Sequence, residues 1–139
     1  MLPTADQINP DKCLDGNCAE VHFLGKSVDA AAAMFAENPL CYQEDLMWMG
    51  TEGFCFYFPI YDRYLRSDDA CGDSDAVSAL AAVLEFQVLE SKADLSSIAS
   101  VIRSLVGYVV NNYSRFDIDH EIYGDVKSRL QSVASRLGV

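Results

Sequence analysis

The sequence predicts an all-α protein, a single-domain bundle of five to six helices that follows an irregular acidic N-terminal arm. Apolar residues recur at spacings of three and four in successive segments, which is typical of helices with one buried face. The alternating pattern of half-buried strands does not recur. A length of 139 residues fits one domain. We therefore expect the arm at residues 1–26 and a helical domain at residues 27–139.

The N-terminal arm carries the signals of irregular chain. Pro3, Pro10, Gly16 and Gly25 interrupt a polar, aspartate-rich segment. Residues 20–24, EVHFL, are compatible with one short strand, for which the sequence offers no clear partner. We expect little regular structure before the first predicted helix.

Most of the predicted helices are preceded by a residue that can cap a helix N-terminus. The predicted helical segments are VDAAAAMFAEN after Ser27, residues 42–49 up to Gly50, a segment from Thr51 to Leu65, residues 75–90 after Asp73 or Ser74, residues 95–113 after Asp94, and residues 118–137. The last of these has a narrow apolar seam that includes Ile118, Ile122 and Val126. That seam predicts a surface helix with one buried face.

The aromatic segment around Pro59 is compatible with two structures. Its aromatic residues fall at helical spacings of three and four, and Pro59 would kink such a helix. The alternative is a strand through Phe54, Phe56 and Phe58, with Pro59 in the first turn of a following helix. The spacing continues unbroken across the proline, which favours the kinked helix.

The negative charge is concentrated in the first half of the chain. The formal net charge is −11, and residues 1–75 contribute −10 of it, with 14 acidic and 4 basic residues. Phosphate backbones and anionic membranes repel such a chain, so we expect no binding to nucleic acid or membrane. A basic protein partner is compatible with this charge, and so is ordinary acidic solubility.

The N-terminal sequence and the cysteines predict a cytoplasmic protein. The segment MLPTADQINPDKC lacks the basic start and the apolar stretch of a signal peptide. No apolar run approaches the roughly 20 residues that span a bilayer. The five cysteines are an odd number, which fits reduced thiols. We expect Cys41, Cys55 and Cys71 to be buried and unreactive.

Two sequence patterns resemble chemical motifs but lack their essential parts. In LGKS at residues 24–27, the glycine that a phosphate loop needs five positions before Gly25 is Glu20. In DIDHE at residues 117–121, adjacent side chains on a helix would point about 100° apart, so few of them share a face. Cys13 and Cys18 also lack a second pair of zinc ligands. We assign no catalytic residue, metal ligand or cofactor.

One segment resembles a known pattern. GTEGFCFYFPIYDRYL, residues 50–65, resembles a short motif of small uncharacterised bacterial helical proteins of unknown function. The motif consists of a turn and then a helix with Phe, an aromatic pair, Pro and a Tyr-Leu pair. Its positions here are Phe54, Tyr57, Pro59, Tyr64 and Leu65. The resemblance implies a helix and supplies no catalytic residue.

The candidate partner-binding residues lie in and beside EDLMWMGTEGFCFYF, residues 44–58. This stretch holds the single tryptophan and has more aromatic and acidic residues than a small core needs. Aromatic residues are favoured anchors at protein interfaces. The candidates are Glu44, Asp45, Trp48, Phe56 and Tyr61.

These observations favour a small acidic protein-binding module, of which an immunity-like or antitoxin-like protein with a basic partner is one form. Such a module should expose Trp48, Phe56 or Tyr61 on an acidic surface. One alternative is a small enzyme with a carboxylate-lined site near Glu44 and Asp45, which requires a concave pocket with convergent polar groups. The other is a structural, homo-oligomeric helical domain without chemistry of its own.

Overall fold

The computed structural model describes residues 1–91 and 93–137, and these residues form helices and connections without any strand. The all-α prediction is confirmed. The first six helices are α1 (Ala5–Ile8), α2 (Leu14–Phe23), α3 (Val28–Glu37), α4 (Pro39–Trp48), α5 (Thr51–Tyr57) and α6 (Pro59–Arg66). The remaining ones are α7 (Ser74–Glu85), α8 (Ala99–Asn111), α9 (His120–Tyr123) and α10 (Val126–Arg136). The prediction of five to six helices is therefore too low.

The helices begin where side chains satisfy the free backbone N–H groups of the first turn. Ser27, Asn38, Asp73 and Asp125 each accept a hydrogen bond from the N–H group three residues further on, at the starts of α3, α4, α7 and α10. Of these caps, Ser27 and Asp73 were expected from the sequence. Among the described residues, no helix has the length and apolar character that crossing a bilayer requires.

The irregular arm expected at residues 1–26 is not confirmed, because this segment contains α1 and α2. Thr4 and Gln7 form a reciprocal capping box at the start of α1. The strand considered at residues 20–24 is wrong, since α2 continues to Phe23. Gly16 suggested a turn but lies inside α2, where a neighbouring side chain occupies the space that a Cβ atom would need.

The N-terminal helices pack against the body of the bundle. Ile8 is fully buried, and its carbonyl accepts a hydrogen bond of 2.9 Å from the N–H of Gly50. A Cβ atom on Gly50 would lie 2.7 Å from the carbonyl oxygen of Gln7, so glycine permits this close approach. Phe23 of α2 is also fully buried in the common core.

The aromatic segment is helical on both sides of Pro59, and the strand alternative is wrong. Phe58 donates a 2.8 Å hydrogen bond to the carbonyl of Phe54, and Tyr61 donates one of 2.9 Å to the carbonyl of Phe58. Pro59 has no N–H to offer, so α5 ends and α6 begins at this point. The helical spacing of the aromatic residues predicted this structure correctly.

The helix predicted at residues 118–137 is split. Gly124 adopts a φ of +74° between α9 and α10, and Asp125 caps the second helix. Ile122 is 71% exposed, so it does not belong to the buried seam that the sequence predicted. The predicted helix at 95–113 begins later, with a 3₁₀ turn at Ser96–Ile98 before α8.

Helix α7 lies between α4 and α10, and α3 packs on α6. Helix α8 contacts both α6 and α10, which closes the bundle. The core includes Phe35, Leu46, Leu80, Leu84 and Ile102, all fully buried. After α7 the chain continues in a π-helical turn at Phe86–Glu90, and this turn positions part of the site described below.

Gly16→Ala should destabilise the protein although alanine normally favours a helix. The new Cβ atom would lie 2.1 Å from Oδ1 of Asn9, whose buried amide nitrogen donates to Asn17 and Glu20. We expect a loss of about 1–3 kcal/mol in the free energy of unfolding, measured by urea denaturation.

Gly107→Ala in α8 is the matched control, because nothing lies within 4 Å of the position that its new Cβ atom would occupy. It should stabilise the protein by up to about 1 kcal/mol. An equal increase in the free energy of unfolding for both substitutions would contradict the close packing of α2 on Asn9.

Candidate functional site

Trp48 is the most exposed aromatic residue among the sequence candidates. It is the last residue of α4, and 39% of its surface is exposed. Its ring packs edge to face against Phe86, with ring centroids 4.7 Å apart. An exposed tryptophan that is held on one side by another aromatic ring is a suitable anchor for a partner.

The buried side chain of Gln87 fixes the backbone that carries Trp48. The Gln87 amide nitrogen lies 3.1, 2.9 and 3.0 Å from the carbonyl oxygens of Leu46, Met47 and Met49, respectively. These carbonyls belong to the end of α4, where intrahelical partners run out. The π-helical turn directs Gln87 inward, and such turns often occur at functional sites.

Two concavities flank Trp48 on the surface where α4 meets α7. The first, of about 340 Å³, is lined by Leu40 and Met47 on α4 and by Ala79 and Ala82 on α7. The second, of about 420 Å³, shares Met47, Trp48 and Ala82 with the first and continues to Phe86 and Leu89. Leu40 is 50% exposed and Leu89 is 38% exposed. We call this surface, from Leu40 to Leu89, the Trp48 groove.

Acidic residues line the Trp48 groove. Glu44 and Asp75 line the first concavity, and Glu85 and Glu90 line the second. Arg129 also lines the first concavity, but its guanidinium already binds Glu85 through two hydrogen bonds of 3.0 and 2.5 Å. The apolar floor therefore lies within a rim of net negative charge, which would attract a basic partner.

Glu44 and Asp45 do not converge. Glu44 is exposed and lines the Trp48 groove, whereas Asp45 is buried and faces α2. There Oδ2 of Asp45 lies 2.6 Å from Nδ1 of His22. Adjacent residues on a helix point about 100° apart, which separates the two carboxylates. The carboxylate-lined site proposed as an enzyme alternative is thus divided between two faces of α4.

Burial raises the pKa of the Asp45 carboxyl above its ordinary value, and the hydrogen bond with His22 opposes this effect only in part. The His22 ring also packs edge to face against Tyr42, with centroids 5.2 Å apart. A carboxylate that orients an imidazole is one half of a general-base constellation. The contact between Asp45 and His22 also connects α2 to α4.

Phe56 lies in a separate concavity. It is half-buried, and with Thr51, Glu52 and Asp94 it lines a space of about 570 Å³. Cys55 lines the same space, and burial raises the pKa of its thiol. A raised pKa disfavours the reactive thiolate. The structure does not bring Phe56 into the Trp48 groove.

Tyr61 is a core residue. It is fully buried, and its hydroxyl donates a 2.6 Å hydrogen bond to the carbonyl of Ala76. Burial raises the pKa of this hydroxyl. Tyr57 is similarly buried, and its hydroxyl lies 2.9 Å from the carbonyl oxygen of Phe23 at the end of α2. These hydroxyl groups satisfy backbone carbonyls inside the bundle.

The expectation of buried cysteines is wrong for two of the three. Cys41 and Cys71 are exposed, and only Cys55 is half-buried. Cys13 and Cys18 are exposed as well, and the Cys13 sulfur accepts a hydrogen bond from the N–H of Gly16 at the start of α2. Within the described part of the chain, no three side chains of His, Cys, Asp or Glu are placed to hold a metal ion.

Comparisons with protein-family models, with curated proteins and with solved structures find no significant match to this chain. The resemblance of residues 50–65 to small bacterial helical proteins therefore stays a prediction. Of the sequence candidates, Trp48 and Glu44 lie on the surface. The sequence did not indicate Gln87, Leu40 and Leu89, because their contribution depends on how α4 and α7 pack together.

Asp45→Asn should change how stability depends on pH. The folded state holds the Asp45 proton more tightly than the unfolded state, so this carboxyl contributes fully to stability below about pH 4. Its contribution is lost as pH rises through the raised pKa. As the pH rises above about 4, the wild type should therefore lose unfolding free energy relative to Asp45→Asn in denaturant titrations. The exposed Glu44→Gln variant is the control, and parallel curves for all three proteins would contradict the prediction.

Gln87→Leu should destabilise the protein by about 1–3 kcal/mol, since it leaves the buried carbonyl of Met49 at the end of α4 without a donor. The emission maximum of Trp48, the single tryptophan, should shift because its supporting backbone is released. Gln131→Leu on the exposed face of α10 is the matched control. Equal stability and equal emission of the two variants would show that the Gln87 amide does not hold α4.

Proposed function

We propose that this protein is a small cytoplasmic protein-binding module that receives a basic protein partner in the Trp48 groove. The observation that supports this most strongly is the position of Trp48. A partly exposed tryptophan lines two adjacent concavities, and acidic residues line both. Interfaces commonly combine an aromatic anchor, an apolar centre and a polar rim.

The charge of the chain supports a partner of opposite sign. The formal net charge of −11 would accelerate the encounter with a basic protein and would disfavour the association of two copies of this chain. An immunity-like or antitoxin-like protein is one form of this proposal, in which the acidic groove covers a basic surface of a toxin. Neighbouring genes that encode a basic toxin would favour that form.

The geometry favours binding over catalysis near Glu44 and Asp45. An enzyme site needs polar groups that converge on one substrate. Glu44 faces the Trp48 groove, while Asp45 is engaged with His22 behind α4. The residues that we propose for partner contact are therefore Trp48, Glu44 and the apolar residues Leu40 and Leu89 that extend the groove.

Affinity capture from the native host, quantified by mass spectrometry, tests this proposal with two matched pairs of variants. Trp48→Ala should reduce the recovery of a basic partner by about 30-fold, the typical effect of removing a tryptophan anchor. Leu14→Ala removes an exposed apolar residue from α2 and should have no effect.

Glu44→Lys should lower the rate of association with the recovered partner. Glu37→Lys, on the exposed side of α3, should lower this rate less. The rates are measured with purified proteins at two salt concentrations, and circular dichroism confirms the fold of each variant. Unchanged recovery with Trp48→Ala, together with an unchanged association rate for Glu44→Lys, would exclude the groove as the binding site.

A further inference from the structure

The Trp48 groove is lined along one side by α7 and the turn that follows it. Its lining residues on this helix and the following π-helical turn extend from Asp75 to Glu90. At roughly 1.5 Å per residue this corresponds to a length of about 20 Å. Helix α4 forms the other wall, from Leu40 to Trp48. The length of the α7 wall corresponds to a helix of about four turns.

The floor of the groove allows close approach. Ser78, Ala79 and Ala82 line its first concavity from α7, and none of them projects a large side chain. Larger apolar side chains line the two concavities, with Leu40 in the first and Leu89 in the second. The Trp48 ring borders both concavities, and each concavity offers space for one apolar side chain of a partner.

The charges are distributed along both halves of the groove. Glu44 and Asp75 lie beside the first concavity, and Glu90 lies beside the second. Asp75 accepts a hydrogen bond from the hydroxyl of Tyr123, which leaves its negative charge in place. A ligand with basic residues on both edges of an apolar face would match this pattern.

We infer that the partner of this groove is an amphipathic helix with basic edges, which places one apolar side chain on each side of Trp48. This inference rests on the proposed function and adds the form of the ligand. Anchors at helical spacings of i and i+4 or i and i+7 would reach the two concavities. A second copy of this chain is disfavoured by the net charge of −11. Strand addition needs an open sheet edge, and the described residues form no sheet.

The experiment uses three synthetic peptides of about 18 residues that contain no tryptophan, so that Trp48 reports on binding. The first contains lysine, alanine and leucine, with the leucines on one helical face. The second has the same composition in an order that scatters the leucines, and the third replaces every lysine of the first with glutamate. Affinities come from Trp48 fluorescence and from calorimetry, and circular dichroism measures the helix formed on binding.

Two protein variants locate the peptide. Ala82→Gln fills the shared floor of both concavities, and Ala33→Gln places the same side chain on the exposed side of α3. We expect the first peptide to gain helicity and to bind at least about tenfold more tightly than either of the others. Ala82→Gln should weaken it by about tenfold or more, and Ala33→Gln by less than about twofold.

The outcomes separate this inference from the proposed function. Equal binding of the two lysine peptides, or an unchanged affinity with Ala82→Gln, would overturn the helical ligand and leave a basic partner in place. Failure of both lysine peptides to bind would also overturn the helical ligand. The proposed function would then be decided by the capture experiment with Trp48→Ala. Tighter binding of the glutamate peptide would overturn both.

Discussion

Helix α4 is held at its C-terminal end by a buried side chain of another helix, and the surface around Trp48 depends on that contact. The carbonyls of Leu46, Met47 and Met49 accept hydrogen bonds from the amide of Gln87. Without this donor, the buried carbonyl of Met49 would lack a hydrogen-bond partner. Phe86, the neighbour of Gln87 in the same turn, packs against the Trp48 ring, so this turn supports both the backbone and the side chain of Trp48.

Two further contacts restrain the region around Trp48. The buried Asp45 binds His22, which ties α4 to α2. Just beyond Trp48, the N–H of Gly50 binds the carbonyl of Ile8, which ties the chain to α1. A binding residue on a restrained element loses little conformational freedom when a partner arrives. The N-terminal helices thus support the candidate surface without contributing to it directly.

The different roles of the acidic and aromatic residues follow from the direction in which each side chain points. Asp45 is buried and connects helices, whereas its neighbour Glu44 is exposed and lines the groove. Tyr61 lies in the core and donates to a backbone carbonyl, whereas Trp48 remains partly exposed. Acidic and aromatic composition alone could not distinguish these roles. A one-residue step around a helix changes the environment by about 100°.

The helical class, the helical path through the aromatic segment around Pro59, and the net negative charge could be predicted from the sequence. These depend on local periodicity, capping residues and net charge, which are readable along the chain. Two features depend on tertiary packing: the helices of the first 26 residues and the Trp48 groove. Gly16 and Gly50 permit close packing against distant segments, which a reading along the chain does not reveal. The groove exists only where α4 and α7 meet.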